Sequence, residues 1–321
     1  MTPDPAQRVR GNLLWVLADR GWRLLLNIVV LGVVGRHLGV AEFGRLNYAI
    51  TLAAIFIPVA TVGLEGILVR ELVRRPEARR SLLGTAAGLR LGGGVLALLG
   101  TGLLALAQDG DSDLARLALL VAIGFVPLAL EVTDLWFQKE IQSRYSTAAR
   151  GVAALLGAGV KLALVHQHAP LAWFAAAAGL DFALAAFSLA GVYRLSGGRI
   201  FDWCFCRETA QQLLREAAPI IGAGLLVAIY VRVEQVMVRE LLGDAAAGVY
   251  FAAARLAEQW LVLPGLIVTS VYPLLARKPK GDAASHARRM QQLFDALTLL
   301  GLLLALGVTV LGPWLVPLLF G

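Results

Sequence analysis

Apolar stretches of about twenty residues or more alternate along the chain with short polar segments in which arginine, glycine and aspartate collect. Such stretches are long enough to cross a hydrocarbon core about 30 Å thick at about 1.5 Å per residue. The alternation predicts about nine spans, all helical, over 12–36, 46–69, 82–107, 115–137, 146–166, 171–193, 213–238, 249–275 and 292–319. The fold class is therefore all-α integral membrane. The first apolar segment is too long for a secretory signal, carries charges and is followed by no small-residue cleavage pattern, so it reads as the first span.

The segment between the first two spans has an echo. Arg36 to Gly44 reads RHLGVAEFG, and some two hundred residues further on Arg239 to Gly248 reads RELLGDAAAG. In each copy a Leu-Gly pair (Leu38-Gly39, Leu242-Gly243) is followed five positions after the leucine-glycine step by a second glycine, Gly44 or Gly248. Each copy is trailed by a tyrosine, Tyr48 or Tyr250, and deeper in its span by a proline, Pro58 or Pro264. An even number of predicted spans between the copies preserves their orientation. The repeat thus predicts two bundles related by an axis along the membrane normal.

Composition agrees with the pattern: 58% of residues are hydrophobic and 16% charged, and mean hydropathy is +0.72. The formal charge of +7 does not point to nucleic acid, because the basic residues recur in every second connecting segment instead of forming one patch. Arg70, Arg74, Arg75, Arg79 and Arg80 fall in one such segment; Lys139, Arg144 and Arg150 in the next; Arg194, Arg199, Arg207 and Arg215 in the next. The alternate segments hold only Arg36, Arg45, Arg116 and Arg239, beside the acidic run from Gln108 to Asp113. Basic segments stay on the cytoplasmic side, which predicts a cytoplasmic N-terminus. Cys204 and Cys206 are too close in sequence for a mutual disulfide or a zinc site, and His166 and His168 read as a polar turn, so neither a metal nor a cofactor is expected.

Charges inside the predicted spans change the picture. Arg20, Arg23, Arg90, Lys161, Arg232 and Arg255 lie there, with Asp19, Glu65, Glu131, Asp134, Asp181, Glu234 and Glu258. Each costs on the order of 3 kcal/mol if it faces lipid at mid-depth, so the set implies a polar interior. Arg20, Arg23 and Asn27 share one helical face, as do Glu131, Asp134 and Gln138, and Arg255 with Glu258 and Gln259. The carboxylates suit charge balance or ion coupling. The arginines suit an anionic ligand, because a planar, permanently charged fork grips phosphate oxygens in pairs.

The run RHLGVAEFGRLNYA, the proline-bearing second span ending GLEGILVRELVRR, the later AAPIIGAGLL and LLGDAAAGVYFAAARLAEQWLVLPGLIVTSVYPLLAR, and the closing LVPLLFG together resemble the oligosaccharide flippases of polysaccharide biosynthesis, within the MATE-like MOP superfamily. The resemblance implies two six-helix lobes around a central cavity that opens alternately to each side of the bacterial inner membrane. It implies translocation of polyprenyl-diphosphate-linked oligosaccharide for surface polysaccharide, with Arg23, Arg255, Arg90, Arg232, Arg20 and Lys161 as cavity cations. Membrane lipids, a polysaccharide polymerase and glycosyltransferases are the expected partners. On this reading 1–195 is a six-helix N-lobe, 196–212 a cytoplasmic linker and 213–321 three helices of a C-lobe, which is C-terminally short for such a fold and leaves open a non-transporting subunit. A multidrug or cation exporter of the same fold is the alternative. A polyprenyl-phosphate glycosyltransferase is disfavoured, because such chemistry needs positioned acid-base groups on a water-exposed loop, and the outward segment near Gln108 to Asp113 is only a few residues long.

Overall fold

The computed structural model describes residues 5–109, 112–140, 142–260 and 283–320. Among the described residues every regular element is helical: α1 (Pro5–Ala54), α2 (Ile57–Thr61), α3 (Glu65–Arg74), α4 (Arg79–Asp109), α5 (Ser112–Ala122), α6 (Val132–Lys139), α7 (Ser143–His166), α8 (Leu171–Leu195), α9 (Arg207–Trp260) and α10 (Ala283–Phe320). Among the described residues seven helical stretches are long and apolar enough to cross a membrane. Two of these, Gly21–Ala54 and Arg207–Arg255, run through the positions where the sequence predicts turns. Most of the span predicted over 249–275 lies outside the described residues. The chain divides into two compact units, Met1–Gly248 and Val249–Gly321; the first takes in 1–195, the 196–212 segment and the first arm of α9.

The turns are tighter than the sequence suggests. Where Arg36 to Gly44 reads as a polar turn, α1 leaves helical geometry only at Gly39, at φ 73° and ψ 170°. In α9 the same happens only at Gly243, at φ 84° and ψ 178°. This corner of backbone space is open essentially to glycine alone, so one residue reverses the chain and helix resumes at once. Before Gly39 the chain rises beside α7, with Trp22 against Gly151 and the His37 ring nitrogen 3.3 Å from the Ala169 carbonyl. After Gly39 it runs back against α9, with Tyr48 meeting Glu240 and, further down, Arg75 meeting Gln212.

The second span is itself interrupted. α1 ends at Ala54, α2 carries Pro58 in its first turn, and Val62 and Gly63 take positive φ before α3 begins. The fourth predicted span is interrupted too, by short 3₁₀ segments at Ile123–Phe125 and Pro127–Glu131. Pro127 has no N–H to give to the helical ladder, which accounts for the break.

Helices approach closely where side chains are small. A Cβ on Gly124 would run into the backbone of Gly179, and one on Gly179 into the carbonyl of Leu120. This is the close packing that small residues permit between membrane helices. Outward faces are apolar: Leu96, Leu99 and Leu103 on α4, and Trp173, Leu180 and Phe187 on α8, are all exposed. In water such a continuous apolar surface is a liability; in a bilayer it is the lipid-facing side.

Because Gly39 has open space where a Cβ would stand, Gly39→Ala isolates the backbone strain. Thermal unfolding in detergent is expected to show a loss of about 1–3 kcal/mol for Gly39→Ala. Gly222→Ala, also in open space but in regular helix, is expected to be neutral or to gain about 0.5–1 kcal/mol.

Candidate functional site

Two polar constellations lie within the first unit. The first surrounds Arg90 on α4, which is only 1% exposed. Its Nε donates to the Thr61 carbonyl at 3.2 Å, one of the groups released where α2 ends. A helix break in hydrocarbon leaves backbone groups without water, and here the guanidinium fills the gap. Glu131, Glu65 and Asp134 are its electrostatic neighbours.

Arg150 closes the cluster from α7, with Nη1 3.6 Å from Glu131 Oε1 and Nη2 3.1 Å from Asp134 Oδ2. Gln138 Nε2 donates to the same Oδ2 at 3.1 Å, so of the predicted stripe Glu131 and Asp134 face Arg150 while Gln138 bonds to Asp134. Asp134 Oδ1 is buried with no hydrogen-bond partner among the described residues. The sequence reading groups Arg150 with the loop arginines; it sits instead inside a helix, against two of the span carboxylates. Its position a turn or two into the fifth predicted span is the signal that finds it.

The second constellation is the seam between the second span and α9. At the Gly39 and Gly243 end the two turns pack on each other at backbone level. A Cβ on Gly44 would strike the Asp244 carbonyl, and a Cβ on Gly248 would strike the Val40 carbonyl. Each glycine meets the residue four places before the other, the reciprocity that a two-fold relation produces. Polar groups surround this contact. Tyr48 donates to Glu240 at 2.7 Å, Arg239 Nε to Asp244 at 2.9 Å, and Arg45 reaches the other Asp244 oxygen at 3.9 Å. The Arg239 guanidinium lies 4.8 Å over the Tyr48 ring. One step inward, Thr51 donates to Gln235 at 2.8 Å, and Arg232 donates to the same oxygen at 3.3 Å.

The middle of the seam is small and apolar: a Cβ on Gly224 would come within 2.9 Å of Pro58, and one on Gly63 within 2.9 Å of Ile220. Its other end is ionic. Arg70 is hydrogen-bonded to Glu216, which holds its guanidinium above the ordinary range. Arg75 donates to Gln212 at 2.9 Å and to the buried Glu71 at 2.5 Å. The sequence reading gives these α3 arginines to membrane orientation alone and does not single out Glu71.

The other predicted residues are dispersed. Lys161 pairs with Asp181 between α7 and α8. Arg23 is half-buried on α1, and Glu65 and Glu234 are exposed. Arg255 is half-buried on the second arm of α9, within the second unit. The side chains of Asp19, Arg20 and Glu258 lie outside the described residues. His168 stacks near the ring of His37 at 5.7 Å between centroids, and among the described residues no three His, Cys, Asp or Glu side chains converge as metal ligands.

The pattern characteristic of the polysaccharide biosynthesis protein family extends over residues 10–278 of the chain. The chain belongs to this family. Its fold is similar to that of a solved inward-facing multidrug-resistance transporter, a MATE-family member of the MOP superfamily, with a TM-score of 0.66 over 91% of this chain and 71% of that one at 16% identity. No curated protein matches the chain. This member of the family is thus a multi-pass membrane protein with a MOP-type transporter fold, as the motifs and the repeated turns imply.

The Arg90 cluster is expected to be structural before anything else. Without Arg90 the neighbouring Glu131 and Asp134 lose a compensating charge, and an uncompensated buried charge costs about 3–5 kcal/mol, so Arg90→Ala should lower unfolding stability by up to that amount, and adding Glu131→Gln should restore part of it. Denaturant titration of the two variants checks this; a loss under about 1 kcal/mol for Arg90→Ala contradicts the geometry's reading.

Proposed function

We propose that this protein is a flippase that carries polyprenyl-diphosphate-linked oligosaccharide across the bacterial inner membrane for surface polysaccharide, with its N-terminus in the cytoplasm. The observation that supports this best is the construction of the seam between the second span and α9. Ion pairs and hydrogen bonds hold it at both ends, and small apolar contacts at Pro58, Gly63, Gly224 and Ile220 hold its middle. Solvent-accessible ion pairs are worth only about 0–1 kcal/mol each. The two hydrated ends therefore part at low cost, while the apolar middle acts as a fulcrum, which is what alternating access requires.

In this reading Arg23 and Arg255 are the foremost of the cations that the diphosphate meets, each at its own stage of the passage, and the polyprenyl tail stays in the bilayer. Arg90, which donates to the Thr61 carbonyl, and Lys161, which pairs with Asp181, hold the bundle in this reading. Arg232, next to Thr51 and Gln235 at the seam, lies on the route of an anion toward the outer end. Glu131 and Asp134 balance Arg90 and Arg150 or take up the coupling ion. The multi-pass transporter fold supports a transporter over a glycosyltransferase.

A host lacking its own flippase provides the test. Arg23→Ala and Arg255→Ala are each expected to reduce surface polysaccharide about ten-fold or more, because a hydrogen bond to a charged group contributes about 1.5–3 kcal/mol, while Lys161→Ala retains most export. Undiminished polysaccharide in both arginine variants, at equal protein levels in the membrane, contradicts the assignment. Drug resistance without polysaccharide export indicates the exporter instead.

A further inference from the structure

At the arginine-rich end of the first unit, away from the seam, a pocket forms between the start of α4, the end of α8 and the loop that leads to α9. It encloses about 210 Å³ and is lined by Arg79, Arg80, Tyr193, Arg199, Asp202 and Trp203. At about 30 Å³ per water molecule that is room for roughly seven waters, or for one phosphate group with a small alcohol attached.

The pocket is built, not incidental. The Arg79 guanidinium lies 3.8 Å over the Trp136 ring and donates to the Tyr193 hydroxyl at 2.7 Å, so it is fixed in place. Gly197 takes φ +86°, and Gly198 lies so flat on Tyr193 that a Cβ would come within 2.6 Å of the ring. The following loop is clasped to α4. Cys204 N–H donates to the Arg80 carbonyl at 3.3 Å and Cys206 N–H to Thr85 Oγ1 at 2.9 Å, while a Cβ on Gly84 would stand 2.7 Å from Cys204 N.

The chemistry of the lining is one-sided. Three guanidinium groups face one carboxylate, Asp202, which lies 3.5 Å from Arg80. The indole N–H of Trp203 is buried with no hydrogen-bond partner among the described residues. A buried donor without an acceptor is uncommon; the pocket itself is lined by the Trp203 residue and three arginines. The complement is an anion rich in acceptor oxygens, and phosphate fits the guanidinium fork.

The surroundings identify the source of that phosphate. Leu195, Phe201 and Phe205 beside the pocket are 89%, 88% and 61% exposed, at the end of the bundle where α4, α6 and α8 reach the membrane surface. Large apolar side chains grouped and exposed together mark a surface that meets membrane or a partner. We propose that this pocket binds the phosphate of an anionic phospholipid of the adjoining leaflet, its acyl chains lying against Leu195, Phe201 and Phe205. The site is separate from the transport seam, and its failure leaves the flippase reading untouched.

Native mass spectrometry of the purified full chain with phosphatidylglycerol or phosphatidylcholine tests this. The parent is expected to retain phosphatidylglycerol in preference. Arg199→Gln and Arg80→Gln are each expected to weaken it about five-fold, the effect of one basic residue at an anionic surface, and the double variant more. Arg199→Lys, which keeps the charge and removes only the fork, is expected to retain more of it than Arg199→Gln, and decides the matter if the double variant unfolds earlier than the parent in neutral detergent. Retention unchanged by excess inorganic phosphate supports a lipid ligand. Displacement by inorganic phosphate overturns the lipid assignment in favour of a free anion. Equal retention of both lipids, or wild-type retention in both Arg199→Gln and the double variant, overturns the site.

Discussion

Backbone and charge that leave water must find partners inside the protein, and in a bilayer each failure costs several kcal/mol. That constraint orders most of what is seen here. The helix break at Val62 and Gly63 is filled by Arg90, which takes the Thr61 carbonyl. The arginine so buried draws Glu131 and Asp134 toward it, and these bring Arg150 in from α7. One interrupted span thus explains why α3, α4, α6 and α7 meet where they do. Three of the charges that look costly in an apolar sequence, Arg90, Glu131 and Asp134, are gathered with Arg150 into one cluster.

The same constraint shapes the end where the chain reverses. Gly39 and Gly243 turn the chain in one residue each, so little backbone is left unpaired, and the two turns come close enough for Gly44 and Gly248 to pack against backbone. Around that contact the polar groups are paired: Tyr48 with Glu240, and Arg239 and Arg45 with Asp244. Tight steric contact combined with individually weak polar bonds gives a closure that is well defined and still able to open.

Much of this was legible in the sequence, and the rest was not for identifiable reasons. Periodicity and apolar length reveal the helices, because a membrane span must satisfy its backbone within itself. The paired Leu-Gly motifs mark the two reversals because only glycine tolerates the required φ. The stripe of Glu131, Asp134 and Gln138 shows one polar face. What sequence cannot convey is which elements meet. Arg150 looks like a loop residue until α7 is placed beside α6. Glu71 looks like one charge in a basic run until Arg70, Arg74 and Arg75 are seen to surround it. Arg79 and Trp203 acquire meaning only when the loop before α9 folds onto α4. The tight turns were also read too long, since a helix that continues through a single non-helical glycine leaves no polar run to mark its limits.

On the proposed orientation the Gly39 and Gly243 end faces outward, shut by the reciprocal contact of Gly44 and Gly248 and opening when that contact parts. Thr51, fully buried beside Gln235, reports on that end. In a variant with Cys204→Ser, Cys206→Ser and Thr51→Cys, labelling by a membrane-impermeant maleimide applied from the outer side should be slow, and adding Gly44→Val, which no longer fits against Asp244 and Gly248, should make it fast. Equal labelling rates with and without Gly44→Val would contradict the account.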